Sequence, residues 1–169
     1  TSTLFMKPYV DIEGSGELVT TITSAGNPPP TTITGTVVGA DNAELRFVTV
    51  KMSGGYKPTA LYNQSASPKI THVTAIAIGN PSNTDSAYGI YDENSSPLMT
   101  NITISATGGI NTNYGIYNDN SSPPMTDVTA DVSGGSFCYG VYNLSSAPTM
   151  RSVFVTATSC GPHTIGMYN

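Results

Sequence analysis

Tyr114-Gly115-Ile116-Tyr117-Asn118, then Ser121-Ser122-Pro123-Pro124-Met125, Val128-Thr129-Ala130-Asp131-Val132 and Gly134-Gly135, form the clearest copy of a unit that recurs along the chain. Equivalent tyrosines stand at Tyr62, Tyr91, Tyr117, Tyr142 and Tyr168, at intervals of 29, 26, 25 and 26 residues, and Pro68, Pro97, Pro123 and Pro148 keep step at 29, 26 and 25. Two marker series in step signal a repeat architecture, in which each unit buries its apolar face only against its neighbours. The one long unit places its additional residues in Gly79-Asn80-Pro81-Ser82-Asn83, a loop-forming run. Counting back 25 residues from Val73 reaches Val48, and Leu45-Arg46-Phe47-Val48-Thr49-Val50 fits a weaker copy.

Within each unit apolar residues alternate, as in Ile102/Ile104/Ala106 and Val128/Ala130/Val132, which is strand period and not helix period. No segment carries apolar residues at i, i+3, i+4 and i+7 without an intervening Gly or Pro, so almost no helix is expected. Stacking the copies brings homologous residues to about 4.8 Å, the spacing of hydrogen-bonded strands. The ladders Val48, Val73, Ile102, Val128, Val153 and Leu61, Ile90, Ile116, Val141, Met167 are then uniformly apolar and point inward. With Gly-Gly and Ser-Ser-Pro corners, these features predict an all-β chain: a single-stranded right-handed parallel β-helix (β-solenoid) of about six coils of 25–29 residues.

Only 6 of 169 residues are Lys or Arg and 11 are Asp or Glu, for a net charge of −5, and Ser, Thr and Asn fill the surface instead. There is no basic footprint to neutralise phosphates, so no nucleic acid partner is expected. No apolar run approaches the roughly 20 residues that span a bilayer, so no membrane insertion is expected. Cys138 and Cys160 offer neither a disulfide framework nor metal-ligand spacing; they read as two thiols, with one disulfide as the alternative in an oxidising compartment. Sequons begin at Asn63, Asn94, Asn101, Asn120 and Asn143, and because the repeat generates them they read as turn asparagines.

The stretch from Met6-Lys7-Pro8-Tyr9-Val10-Asp11-Ile12-Glu13-Gly14-Ser15-Gly16 through Val37-Val38-Gly39-Ala40-Asp41-Asn42-Ala43-Glu44-Leu45-Arg46-Phe47 to the Tyr-Gly-Ile-Tyr-Asn repeats resembles bacterial and phage-associated right-handed β-helix proteins of the pectin-lyase-like superfamily. The resemblance covers nearly the whole chain and is specific for fold, since that superfamily spans lyases, hydrolases, esterases, epimerases, tailspikes and catalytically silent shafts. It implies an extracellular, cell-surface or virion location. In such proteins another coil usually precedes the Lys-Pro-Tyr-Val-Asp-Ile start, and Tyr168-Asn169 stop in mid-coil, so residues 1–169 are expected to be a single β-helix domain cut from a longer chain. Homo-oligomerisation or end-to-end stacking is the expected alternative for covering the coil ends.

Superfamily members that act on acidic polysaccharides place two or three carboxylates, often with Ca²⁺ or an Arg, on one outward face. Here Asp127 and Asp131 share a strand at i and i+4, about 13 Å apart, too far for a catalytic pair. Glu93 and Asp119 stack in adjacent coils and read as a solvated turn. Arg46 and Arg151 share a ladder four coils apart, and His72 and His163 have no nucleophile beside them. No catalytic residue, metal site or cofactor is assigned. An outward ladder of Thr49, Thr74, Thr103 and Thr129, broken by Phe154, lacks the second threonine file an ice-binding face would need two residues away.

With Ile90, Ile116 and Val141 inward, alternation puts Tyr91, Tyr117 and Tyr142 outward, with Gly89, Gly115 and Gly140 on the same face and little ring burial. Tyr62 and Tyr168 complete a five-rung ladder that reads first as aromatic stacking that rigidifies the sheet or packs against a neighbouring subunit, and as a carbohydrate-binding candidate in its functional reading. The expected function is a non-catalytic structural or recognition β-helix of an adhesin or tail-type protein, with a polysaccharide or other glycan as partner. The alternative is a polysaccharide-active lyase or hydrolase whose key residues lie outside this segment.

Overall fold

A computed structural model of the chain describes residues 3–26, 33–82 and 85–169. Its strands are β1 (Leu4–Phe5), β2 (Ile12–Glu13), β3 (Thr21–Ala25), β4 (Gly35–Val38), β5 (Glu44–Ser53), β6 (Thr59–Gln64), β7 (Lys69–Ile78), β8 (Ser86–Glu93), β9 (Leu98–Thr107), β10 (Thr112–Asp119), β11 (Pro124–Ser133), β12 (Phe137–Leu144), β13 (Thr149–Thr158) and β14 (His163–Tyr168). Every pairing is parallel, and from β3 onward each joins alternate strands, giving one sheet in the order β1-β4-β6-β8-β10-β12-β14 and a second in the order β13-β11-β9-β7-β5-β2, with β3 also on β5. This is a right-handed parallel β-solenoid of about five turns. The described residues contain no helix, so none is long and apolar enough to cross a membrane. Asn83 of the expected insertion loop lies outside the described residues; at the loop's start, Gly79 N–H bonds Thr107 O at 2.7 Å.

Register places each apolar residue on its homologue. Val48, Val73, Ile102, Val128 and Val153 form one inward row of the second sheet, facing Leu61, Ile90, Ile116, Val141 and Met167 of the first. The inner rungs of both rows are fully buried. Two further inward rows, Leu45/Ile70/Met99/Met125 and Val50/Ala75/Ile104/Ala130, fill the space between the sheets.

Strict alternation breaks once in each long strand. Phe47, His72, Asn101, Asp127 and Ser152 all have φ between 50° and 55°, and this left-handed row bends β5, β7, β9, β11 and β13 into two arms. Asp127 and Asp131 therefore flank or follow a bend and do not share one flat face. The bend also separates the outward row Thr71/Thr100/Thr126 from Thr74/Thr103/Thr129, so a second threonine file exists on the other arm. A second left-handed row, Ser65, Asn94, Asn120 and Ser145, turns the chain out of the first sheet. Of the sequon asparagines, Asn94 and Asn120 belong to this corner row and Asn101 to the bend row, all exposed, whereas Asn63 and Asn143, expected in turns, lie buried within β6 and β12.

Contrary to the two-thiol reading, Cys138 and Cys160 are joined by a disulfide across 22 residues. Cys138 stands in register with Asn113, whose side chain accepts from Gly109 N–H at 2.9 Å and donates to Ser133 O at 3.0 Å. One corner of the solenoid is thus held by an amide clamp in one coil and by a covalent bond in the next. Sequence periodicity compares copies with one another and carries no signal for a bond that replaces a clamp in one copy alone.

Val128→Asp is expected to cost more than about 4 kcal/mol, because it places a charge among Ile102, Val153 and the facing sheet, whereas Thr129→Asp, on the exposed side, should cost under about 1 kcal/mol. Chemical denaturation with circular dichroism checks this; equal losses would mean that the faces are assigned wrongly. At Gly115 an added Cβ would stand 2.5 Å from Gly140 O and 3.0 Å from Ala130 Cβ, while at Gly166 it meets nothing within 4 Å. Gly115→Ala should therefore lower stability by about 1–3 kcal/mol and Gly166→Ala should not.

Candidate functional site

The outer face of the first sheet carries eight of the ten tyrosines. The Tyr-Gly-Ile-Tyr segments of β8 and β10 put them there through a local break in the pleat. Pairing joins Tyr88 to Tyr114 and Ile90 to Ile116 but passes over Gly89 and Gly115. The glycines turn inward, against expectation: a Cβ at Gly89 would run into Ile104 Cγ2, and one at Gly140 into Val155 Cγ1. With glycine and isoleucine both inward, the flanking tyrosines both point outward. Tyr88, Tyr114 and Tyr139 thereby join Tyr62, Tyr91, Tyr117, Tyr142 and Tyr168 as a second, adjoining file. Strict period-two reading hides the second file; the available signal was a glycine between two aromatics in a strand, a mark of a bulge or close backbone approach.

Ring geometry is regular. Tyr88, Tyr114 and Tyr139 stack at 5.0 and 5.4 Å with planes 12° apart, and Tyr117, Tyr142 and Tyr168 at 5.0 and 4.7 Å with planes 7° and 8° apart. The files meet nearly at right angles, as at Tyr114–Tyr117 (86°) and Tyr139–Tyr142 (81°). Tyr91 belongs to the other orientation: it stacks on Tyr88 and meets Tyr117 edge-on at 4.9 Å. Each inner ring therefore spends its faces on rings above and below, in the offset and edge-to-face arrangements aromatic quadrupoles prefer, and turns its rim outward. The rings are far from freely standing. Tyr62 and Tyr88 are only 6% and 7% exposed, the other inner tyrosines are half-buried, and Tyr168 is 43% exposed.

Hydroxyl chemistry follows from that packing. Burial pushes the hydroxyls of Tyr62, Tyr88, Tyr91, Tyr114, Tyr117 and Tyr142 above the ordinary phenol value, so all remain neutral through the physiological range. The Tyr62 hydroxyl donates to Glu93 Oε2, which also accepts from Gln64 Nε2 at 3.2 Å. Glu93 pairs in register with Asp119 along one border of the tyrosine face. The strands β6, β8, β10, β12 and β14 contain no Lys or Arg.

The remaining candidates stay apart. Arg46 is held by Glu44 at 2.5 Å and Glu13 at 2.9 Å on the second sheet, and Arg151 is exposed on the same sheet. His72 stacks on Phe47 and lies 3.2 Å from Asn101 Nδ2; His163 stacks on Phe137. Among the described residues no three His, Cys, Asp or Glu side chains converge as a metal site. No protein-family model, no curated protein and no solved structure matches the chain.

Proposed function

We propose that this chain is a non-catalytic recognition shaft of an exported cell-surface, adhesin or tail-type protein, and that its tyrosine face binds an uncharged polysaccharide lying across the rungs. The observation that carries the reading is the double file of stacked rings. It is a rigid, continuous row of neutral hydroxyl-bearing rims on strands without a Lys or Arg to pair an anionic sugar. Glu93 and Asp119 at its border further disfavour uronates by like-charge repulsion. Recognition then runs through hydroxyl hydrogen bonds and ring edges, not through sugar rings laid on open aromatic faces. The disulfide supports export, since such bonds persist in oxidising compartments.

Replacing Tyr91, Tyr117 and Tyr142 together by Phe removes the hydroxyls and keeps the stack. In affinity electrophoresis against a panel of neutral polysaccharides and polygalacturonate, the parent chain should be retarded by a neutral polymer and not by the polyuronate. The triple Phe variant should lose that retardation with an unchanged melting temperature, and each single Phe should weaken binding about 2- to 10-fold, one hydrogen bond's worth. The triple Ser variant should lower the melting temperature as well, because it removes half-buried stacked rings. Retardation that survives the triple Phe change, selective binding of the polyuronate, or no binding to any polymer would each remove the reading.

A further inference from the structure

Directly beneath the tyrosine face runs a buried polar row. Asn63 of β6, Asp92 of β8, Asn118 of β10 and Asn143 of β12 occupy one register position, and all four are essentially inaccessible. Each amide donates to the rung that follows: Asn63 Nδ2 to Asp92 Oδ1 at 2.8 Å, Asn118 Nδ2 to Asn143 Oδ1 at 2.7 Å, and Asn143 Nδ2 to Asn169 Oδ1 at 2.5 Å. The link from Asp92 to Asn118 is missing: Asp92 Oδ2 and Asn118 Oδ1 are left without partners at that step, as is Asn63 Oδ1 at the row's first rung. The two atoms at the missing link are both acceptors when Asp92 is ionised. Two unpaired buried acceptors on adjoining rungs are costly, and a single proton converts the pair into a donor and an acceptor.

We propose that Asp92 is a proton-operated link that sets the direction of this hydrogen-bond ladder. With Asp92 neutral, its carboxyl O–H donates to Asn118 Oδ1 and the ladder runs unbroken from Asn63 to Asn169. With Asp92 ionised, the carboxylate needs a second donor, so the amides of Asn118, Asn143 and Asn169 turn over and each donates toward Asp92. One proton thereby reverses the polarity of the row through the coils on the Asn169 side.

The surroundings leave burial as the governing influence. Facing Asp92 along the row are only the amides of Asn63 and Asn118. The titratable side chains on elements packed against β8 are Tyr62 of β6, Tyr114, Tyr117 and Asp119 of β10, and Lys69 and His72 of β7; β9 has none, and β8 itself adds Tyr88, Tyr91 and Glu93. None of them acts on Asp92: burial pushes its carboxyl up to about 7, opposed by the Asn63 bond. A carboxyl whose folded value lies above its unfolded one binds a proton on folding. Its stabilising contribution is full below about pH 4 and is lost as pH rises toward 7.

Asp92→Asn supplies the donor at every pH. Melting temperatures of parent and variant measured from pH 4.5 to 8.5 should diverge as pH rises, with Asp92→Asn melting higher by on the order of 5–10 °C at pH 8. A difference independent of pH, or a variant that melts lower at pH 8, would overturn the proposal. NMR on the parent chain gives a test that needs no variant. The Asp92 carboxyl carbon should titrate near pH 7, and the side-chain amide signals of Asn118 and Asn143 should move with the same midpoint. An Asp92 midpoint below 5, or an Asn143 amide that does not respond, would also overturn it.

Discussion

The structure depends on one constraint: each residue sits about one strand spacing from its own counterpart in the coil before and the coil after. A side chain is admissible only if it tolerates a near copy of itself at that distance. Apolar residues do, and give the inward rows of Val, Ile and Leu. Amides do, because each has a donor and an acceptor, and give the Asn63–Asn169 row. Tyrosines do, by offset stacking. Like charges do so only at a cost, met here at Glu93 and Asp119, which fits a surface of Ser, Thr and Asn and a chain only 10% charged. Where charges stack in register near the start of the solenoid they alternate in sign, Glu13 on Arg46 and Glu44 on Lys69.

The same constraint governs the corners. A left-handed residue strains an L-amino acid, least for Asn and Asp, and a row of such residues must repeat the strain in every coil. The corner row Ser65, Asn94, Asn120, Ser145 and the bend positions Asn101, Asp127 and Ser152 use short polar side chains. Phe47 at φ 55° and His72 at φ 50° carry rings instead, which stack at 4.9 Å, a packing contact that offsets part of the cost.

Much of this was legible in the sequence, because a repeat reports its own register. The Tyr and Pro series fix coil length, and the Val48–Val153 and Leu61–Met167 rows follow from alternation alone. What alternation cannot show is where it stops. The left-handed bend at Asn101 and the inward turn at Gly115 each shift the pattern by one residue within a strand, so Gly89, Gly115 and Gly140 were expected outward and lie inward, and Tyr88, Tyr114 and Tyr139 emerge beside the expected file. The tyrosine rows were visible, but their mutual packing was not, since ring orientation depends on a neighbouring file that strict alternation places in the core. Asp92 was hidden for a related reason: as one acid in a row of asparagines it looks like a tolerated variation, and only its complete burial makes the missing donor consequential.

Self-stacking also changes what the tyrosine face can offer a ligand. A ring held between two others loses little conformational freedom on binding, so the ordering cost that weakens flexible sites is already met in the free protein. Its faces, however, are occupied, and only rim and hydroxyl remain. Each such contact is weak, and a single rung would hold nothing. A polymer spanning several rungs meets the same rim at each coil, and its successive contacts are made at high effective concentration. The solenoid's repetition, which the core requires for burial, is thus the property that lets individually weak hydroxyl contacts add up along one chain.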